Sequence, residues 1–247
     1  QYEELTNAPS KERMRMFAAG PATNIFAAIV CLMFLGGLAG QFVATDDGVH
    51  VRGIVQEEGA YNAGLEPWDT IQSIDNQTVS NVDDFYDIMT AYSANDTIAI
   101  TVMHQDGDVE TLNATLSDKY DYYLELGWSK SNLADLGVEQ GDAFLGVEGL
   151  SGGTAGIDRL AGPLSPRWDG NLLQKSVMVP FHTLSMMIVP FELQGVAMHP
   201  FEESLLEADD NPFAQTLGTN GLLFLVNLFF WLLWVNILLG FTNLIPM

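Results

Sequence analysis

The strongest constraint on this chain is one late stretch. From Gly221 to Phe241 it reads GLLFLVNLFFWLLWVNILLGF, without a charged residue. At 1.5 Å rise per residue, a helix of that length crosses a hydrocarbon layer of about 30 Å. A membrane span is therefore expected over residues 216–247. Asn227 and Asn236 interrupt the apolar run, and Asn243 follows Asn236 by seven residues, returning a helix to almost the same face; these amides are expected to face protein and not lipid. A second uncharged run, Ile25 to Val43, predicts another span over residues 24–43. Its small residues Ala27, Ala28, Gly36, Gly37 and Gly40 would admit a closely packed helix.

The charge balance bears on partners. Across 247 residues, 32 Asp and Glu stand against 9 Lys and Arg, a net charge of -23. Nucleic-acid binding through phosphate contacts has no electrostatic support in such a chain. Residues 44–171 hold 23 of the acidic and 5 of the basic residues, and that surface suits strong salt, where the screening length falls to about 3 Å at 1 M. A halophilic source is the expectation. Cys31 is the only cysteine, so no intrachain disulfide forms. Residues 1–16, QYEELTNAPSKERMRM, have no signal-peptide pattern, and the chain reads as an internal piece of a larger protein. Lys11, Arg13 and Arg15 beside the first span make residues 1–23 a cytoplasmic flank and put the acidic middle outside the cell.

After the first span the period changes. Val49 to Val55 alternates as a strand, Gly59 to Leu65 makes a helical turn closed by glycine, and Thr70 to Ile74 is a second strand ending at an Asp75-Asn76 turn. Ser80 with Asp83 resembles a capping box before a helix from Val82 to Tyr92. Thr97 to Met103 and Val109 to Leu116 form a hairpin about Gln105-Asp106-Gly107-Asp108. This order resembles a PDZ domain of the kind found in bacterial and archaeal proteases, over about residues 49–116 within a PDZ-like region 44–118. The family's wording is met by Ala63-Gly64-Leu65, Pro67-Trp68-Asp69 and Ile74-Asp75-Asn76, with Trp68 and Asn76 where glycine is customary. The resemblance implies that an extended peptide or C-terminus adds beside a strand, in a groove lined by Val49, His50, Val51, Phe85, Ile88 and Met89.

Residues 119–171 read as an extension and a Gly- and Pro-rich linker. Within them 132–149 loosely repeats the rhythm of Tyr61 to Asn76, either as a degenerate repeat or as a final strand of the same domain. Gly149-Leu150-Ser151-Gly152-Gly153 imitates a serine-protease nucleophile, but that chemistry needs a base, an orienting acid and a barrel ahead of the serine, so the glycine-linker reading is preferred. Residues 172–215 are apolar but broken by Pro180, Pro190 and Pro200, which favours interfacial or re-entrant helices followed by an acidic loop. His182, Glu192, His199 and Glu202 have no helical ligand spacing, and no metal site is expected from them. Asn76, Asn95 and Asn113 each begin an Asn-x-Thr sequon, which permits glycosylation of an external domain.

The two ends carry a larger resemblance. Arg13-Met14-Arg15-Met16-Phe17-Ala18-Ala19-Gly20-Pro21-Ala22-Thr23-Asn24 resembles the opening of the second core span of site-2 proteases. Phe241-Thr242-Asn243-Leu244-Ile245-Pro246-Met247 resembles the start of the third. A PDZ domain often lies between the two, so the implied fold is mixed: transmembrane helical spans with an inserted α+β PDZ-like domain. The implied activity is intramembrane zinc metalloproteolysis of transmembrane protein substrates within the lipid bilayer of the cell membrane, with Asn243 and Pro246 bordering the active site. The family's His-Glu-x-x-His and Leu-Asp-Gly ligand motifs are not in these residues, so zinc ligands are expected outside this chain, which alone is expected to be inactive. The alternative is a non-catalytic, membrane-anchored PDZ protein that binds peptides.

Overall fold

The computed structural model describes residues 9–243, which divide into two units: residues 44–153, and the residues that flank this insertion on both sides. The flanking unit opens with helix α1 (Ser10–Ala39), which runs through Pro21 and ends at Gly40. The helix therefore stops short of the expected span end at 43, and Phe42–Ala44 is instead a short strand, β1.

The inserted unit is built on an antiparallel sheet. Strands β2 (Val49–His50) and β3 (Gly53–Ile54) are followed by the turn helix α2 (Gly59–Ala63), then β4 (Thr70–Ile74) and β5 (Gln77–Thr78). Helix α3 (Val82–Met89) precedes the hairpin β6 (Thr97–Met103) and β7 (Val109–Thr115), and the sheet order is β2-β4-β6-β7 with β5 on β4. Alternation selects its core: Ile98, Ile100 and Val102 of β6 and Leu112 and Ala114 of β7 point inward with Phe85 and Met89 of α3. The expected strand over Val49 to Val55 is divided between two partners: Val49–His50 pair with residues 70–71, and Val51 N–H continues that register to Asp69 O at 3.0 Å, whereas Gly53–Ile54 pair with residues 147–148. The cap of α3 also differs from the Ser80 expectation. Asn81 accepts from Asp84 N–H at 2.9 Å, while the Asp84 carboxylate accepts from Ser80 N–H at 3.0 Å, one residue later than the box drawn from sequence. Trp68 and Asn76, which replace customary glycines, both keep positive φ, 77° and 64°.

The stretch after β7 completes this unit. Strand β8 (Ser117–Asp118) leads to α4 (Lys119–Glu125) and α5 (Lys130–Asp135), capped by Asp118 and Ser129. Strands β9 (Ala143–Phe144) and β10 (Val147–Glu148) then pair with β8 and β3. Residues 132–149 are thus the closing strand region of the same domain.

The flanking unit resumes in what the sequence suggested was a linker. Helix α6 (Ala155–Ala161) buries Ile157, Leu160 and Ala161, an i, i+3, i+4 stripe, and the turn at 162–164 touches α1. A Cβ on Gly36 would lie 2.6 Å from Leu164 Cβ, so glycine there permits the approach. Helix α7 (Leu172–Ser185) runs through Pro180 but is only 14 residues long, and Pro190 and Pro200 stand in the first turns of α8 (Val189–Glu192) and α9 (Pro200–Ser204). The supposed acidic loop contains strand β11 (Leu206–Ala208), paired with β1. Arg159 forks onto Glu202 with two bonds of 2.8 Å. Arg167 donates to Ala39 O and Phe42 O, placing a cation at the carbonyl end of α1.

Helix α10 (Pro212–Thr242) starts at the Asn211 cap and breaks at Gly218 (φ 65°, ψ 169°) before its apolar run. It packs antiparallel to α1: Phe229 stacks on Phe34 with ring centroids 4.5 Å apart, and a Cβ on Gly240 would sit 3.1 Å from Ile25. Leu222, Val226, Phe230, Leu233 and Ile237 are buried, whereas Phe224, Leu228, Leu232, Val235 and Leu239 are exposed. Both faces are equally apolar. Two helical stretches, 19–39 and 212–242, with mean hydropathy 2.0 and 2.4, are long and apolar enough to cross a membrane. Asn227 does face protein, donating to Glu203 at 3.3 Å, but Asn236 donates to Leu232 O of its own helix at 2.8 Å, which satisfies the amide without a neighbour.

Candidate peptide-binding groove

Helix α3 and the closing segment of the inserted unit enclose a groove of about 390 Å³. Phe85 and Met89 project from α3 because they lie four residues apart on its inward face, and Leu145, Val147 and Leu150 line the opposite side. Tyr86, Thr90 and Tyr92 border it, and the Tyr92 hydroxyl is held by Asp75 at 2.8 Å. Helix α4 adds Lys119 and Tyr123.

The backbone at one end of this groove is prepared for an anion. Leu145 O accepts from Ala60 N–H at 2.7 Å and Gly146 O from Val55 N–H at 2.9 Å, so both carbonyls are used within the fold. The N–H groups of Leu145 and Gly146 donate to no acceptor among the described residues, although both residues are buried. Gly146 has φ +83°, and a Cβ there would collide with Glu58, so only glycine permits this turn. Successive amides beside a left-handed residue are a backbone arrangement that can bind an anion. Lys119 makes no ion pair among the described residues, in a unit with 21 acidic residues and 3 Lys and Arg.

The residues expected to line the groove divide. Phe85 and Met89 do so, while Ile88 packs partly buried against the core. Val49, His50 and Val51 lie elsewhere, each 1% exposed or less. Both edges of β2 are occupied: β4 pairs on one side, and on the other His50 N–H donates to Ser151 O at 2.8 Å and Ser151 N–H to His50 O at 3.1 Å. The groove strand is instead residues 143–147. Its sequence signal was Phe144-Leu145-Gly146-Val147, apolar residues around a single glycine.

The histidines have structural partners. His50 Nδ1 lies 2.7 Å from Thr70 Oγ1 while Nε2 has no partner among the described residues, and burial pushes its pKa down to about 4 against the opposing charge of Asp46. With no bond to its Nε2, His50 gives Ser151 no general base. His104 bridges Asp69 at 3.0 Å and Glu110 at 3.2 Å, and the Asp69 bond raises its pKa. His182 Nε2 lies 3.2 Å from Leu160 O, and His199 caps α9. Among the described residues no three His, Cys, Asp or Glu gather to hold a metal ion, so these residues do not fit a zinc centre. Asn243 ends α10, exposed, with its Nδ2 3.9 Å from where a Cβ on Gly20 would stand. Pro246 lies outside the described residues.

The PDZ domain family matches residues 36–116. No curated protein matches the chain. Among solved structures, the PDZ domain of an SdrC-like protein from Listeria monocytogenes is 21% identical, with TM-score 0.31, covering 43% of this chain and 90% of that one. Its counterpart from Listeria innocua is 22% identical, with TM-score 0.31 and coverage of 41% and 91%. An aminopeptidase N family protein from Idiomarina loihiensis is 26% identical, with TM-score 0.28 and coverage of 51% and 16%. The strand order, the groove beside α3 and the family match together show that the chain contains a PDZ domain.

Proposed function

We propose that this protein is the membrane-embedded core of an intramembrane zinc protease of the site-2 type, whose PDZ domain receives the free C-terminus of a membrane-protein substrate. The observation that carries the protease reading is the antiparallel packing of α1 on α10. It brings Gly20, from the Ala-Gly-Pro-x-x-Asn run, beside Asn243, from the Asn-Leu-x-Pro run, the two motifs on which the resemblance rests. The described residues hold no zinc site, so the metal ligands of this reading lie elsewhere in the protein.

In the groove, the amides of Leu145 and Gly146 and the ammonium of Lys119 take the terminal carboxylate, and the last side chain rests on Phe85, Met89 and Leu150. The exposed apolar face of α10 takes lipid, as does the apolar side of α7 with Leu173, Val177 and Phe181 outward. Lys11, Arg13 and Arg15 in the first turns of α1, ahead of its apolar part, keep that end cytoplasmic and leave the PDZ domain outside.

Two measurements test the reading. A C-terminal peptide ending in an apolar residue binds the full-length protein at least tenfold more tightly than its C-terminal amide; equal binding removes the carboxylate from the proposal. Full-length protein carries one zinc per chain and cleaves a single-span substrate. Carboxylate-dependent binding without zinc or cleavage leaves the non-catalytic PDZ receptor in its place.

A further inference from the structure

One face of the PDZ sheet lacks the charge that covers the rest of the domain. The outward side chains of β6 are Thr97, Ala99, Thr101 and Met103, and those facing them on β7 are Thr115, Asn113, Thr111 and Val109. None is charged, in a unit with 21 acidic residues. Thr78, Ser73, Thr101 and Thr111 form one row of hydroxyls across four strands. Charge elsewhere keeps the surface hydrated, yet here even Val109 is 56% exposed.

The three Asn-x-Thr sequons lie near one end of this sheet, one of them on its uncharged face. Asn76 is in the β4–β5 turn, Asn95 lies two residues before the start of β6, and Asn113 is in β7 opposite Ala99. All three asparagines and the threonines that complete their sequons, Thr78, Thr97 and Thr115, are exposed. The hydroxyls of Thr97 and Thr115 are 3.1 Å apart, and the Asp75 carboxylate accepts from Ala99 N–H at 2.8 Å, so the three acceptors gather at one end of the sheet.

We infer that Asn76, Asn95 and Asn113 carry N-linked glycans, and that these cover the uncharged sheet face in place of charge. The inference rests on the outward placement of the domain proposed above. In the transfer, Asn Nδ2 bonds to the anomeric carbon of a lipid-phosphate-linked oligosaccharide. The carbon–oxygen bond to phosphate breaks, the lipid phosphate leaves with the electron pair, and one amide proton is released.

Peptide mass spectrometry of the full-length protein from its source cells tests this. Each sequon peptide is expected to carry an oligosaccharide mass, and Asn76→Gln, Asn95→Gln and Asn113→Gln each remove one step of gel retardation. Thr115→Val removes the same step as Asn113→Gln while keeping the asparagine, which separates loss of the acceptor from loss of the sequon. Three unmodified peptides overturn the inference and point to a protein partner on this face. A membrane-impermeant maleimide applied to intact cells carrying Ser131→Cys, at an exposed position, then distinguishes two failures. If Ser131→Cys is labelled, the outward placement stands and the glycans alone fall; if it is labelled only after lysis, the placement falls as well.

Discussion

The two units use apolar residues in opposite ways. In the PDZ domain, Ile98, Ile100 and Val102 are buried while Thr97 and Ala99 between them face outward, so one sheet side is kept for the core. In α10, Phe230 is fully buried and Phe224 is 66% exposed, yet both are phenylalanine. Burial alone selects residues in the first unit. In the second, the outward positions carry the same apolar residue types as the inward ones, in a helix long and apolar enough to cross a membrane. Polar groups follow the contrast in part: the helical unit ties Arg159 to Glu202 and Arg167 to Asp158, whereas the PDZ domain leaves most of its carboxylates in solvent.

The sharpest way to break this comparison is to remove the cation of the tied pair. Arg159→Met leaves the Glu202 carboxylate buried without its fork and is expected to cost about 3–5 kcal/mol, read as a lower thermal midpoint in detergent. Next, Ile100→Ala is expected to cost about 3 kcal/mol through its cavity, and hydrogen exchange of β6 and β7 reports it. The matching Leu232→Ala, on the exposed face of α10, leaves that exchange unchanged. A third measurement uses pH. His50 has a folded pKa below the unfolded value of about 6.5, so its neutral form stabilises the domain above that value and the stability is lost as pH falls toward 4. Between pH 7 and pH 5 the loss is about 2 kcal/mol, and His50→Gln flattens that limb. His104, with its raised pKa, has the opposite sign: its contribution is complete at low pH and fades as pH rises through the folded value. The smallest effect is expected at the cap of α3, where Asn81→Ala costs about 1 kcal/mol; an unchanged midpoint there would return the cap to Ser80.

What was legible in the sequence had a period or a closed local rule. The hairpin at 97–115, the glycine-closed turn at 59–64 and the apolar helix at 212–242 emerge near their expected limits, whereas the first apolar helix runs from Ser10 to Ala39 instead of 24–43. What was not legible depended on distant partners. Residues 155–161 looked like a linker because glycine and proline surround them, but their Ile157, Leu160 and Ala161 spacing packs against α1. The sequence resemblance places the groove strand at Val49–Val51, the first strand of the matched stretch. Strand pairing decided otherwise, since Ser151 occupies the open edge of β2 from a hundred residues away. The apolar half of the groove, Phe85 and Met89, was found because it is local to one helix.

That late strand has a consequence during synthesis. Residues 44–116 emerge from the ribosome with β2 still open on one side and with only one wall of the groove present. The edge is closed, and the second wall of the groove added, only when residues 143–151 have been made. The groove is therefore complete only at the end of the domain's translation, just before α6 is made, and a fragment cut at residue 116 would present an unpaired strand edge instead.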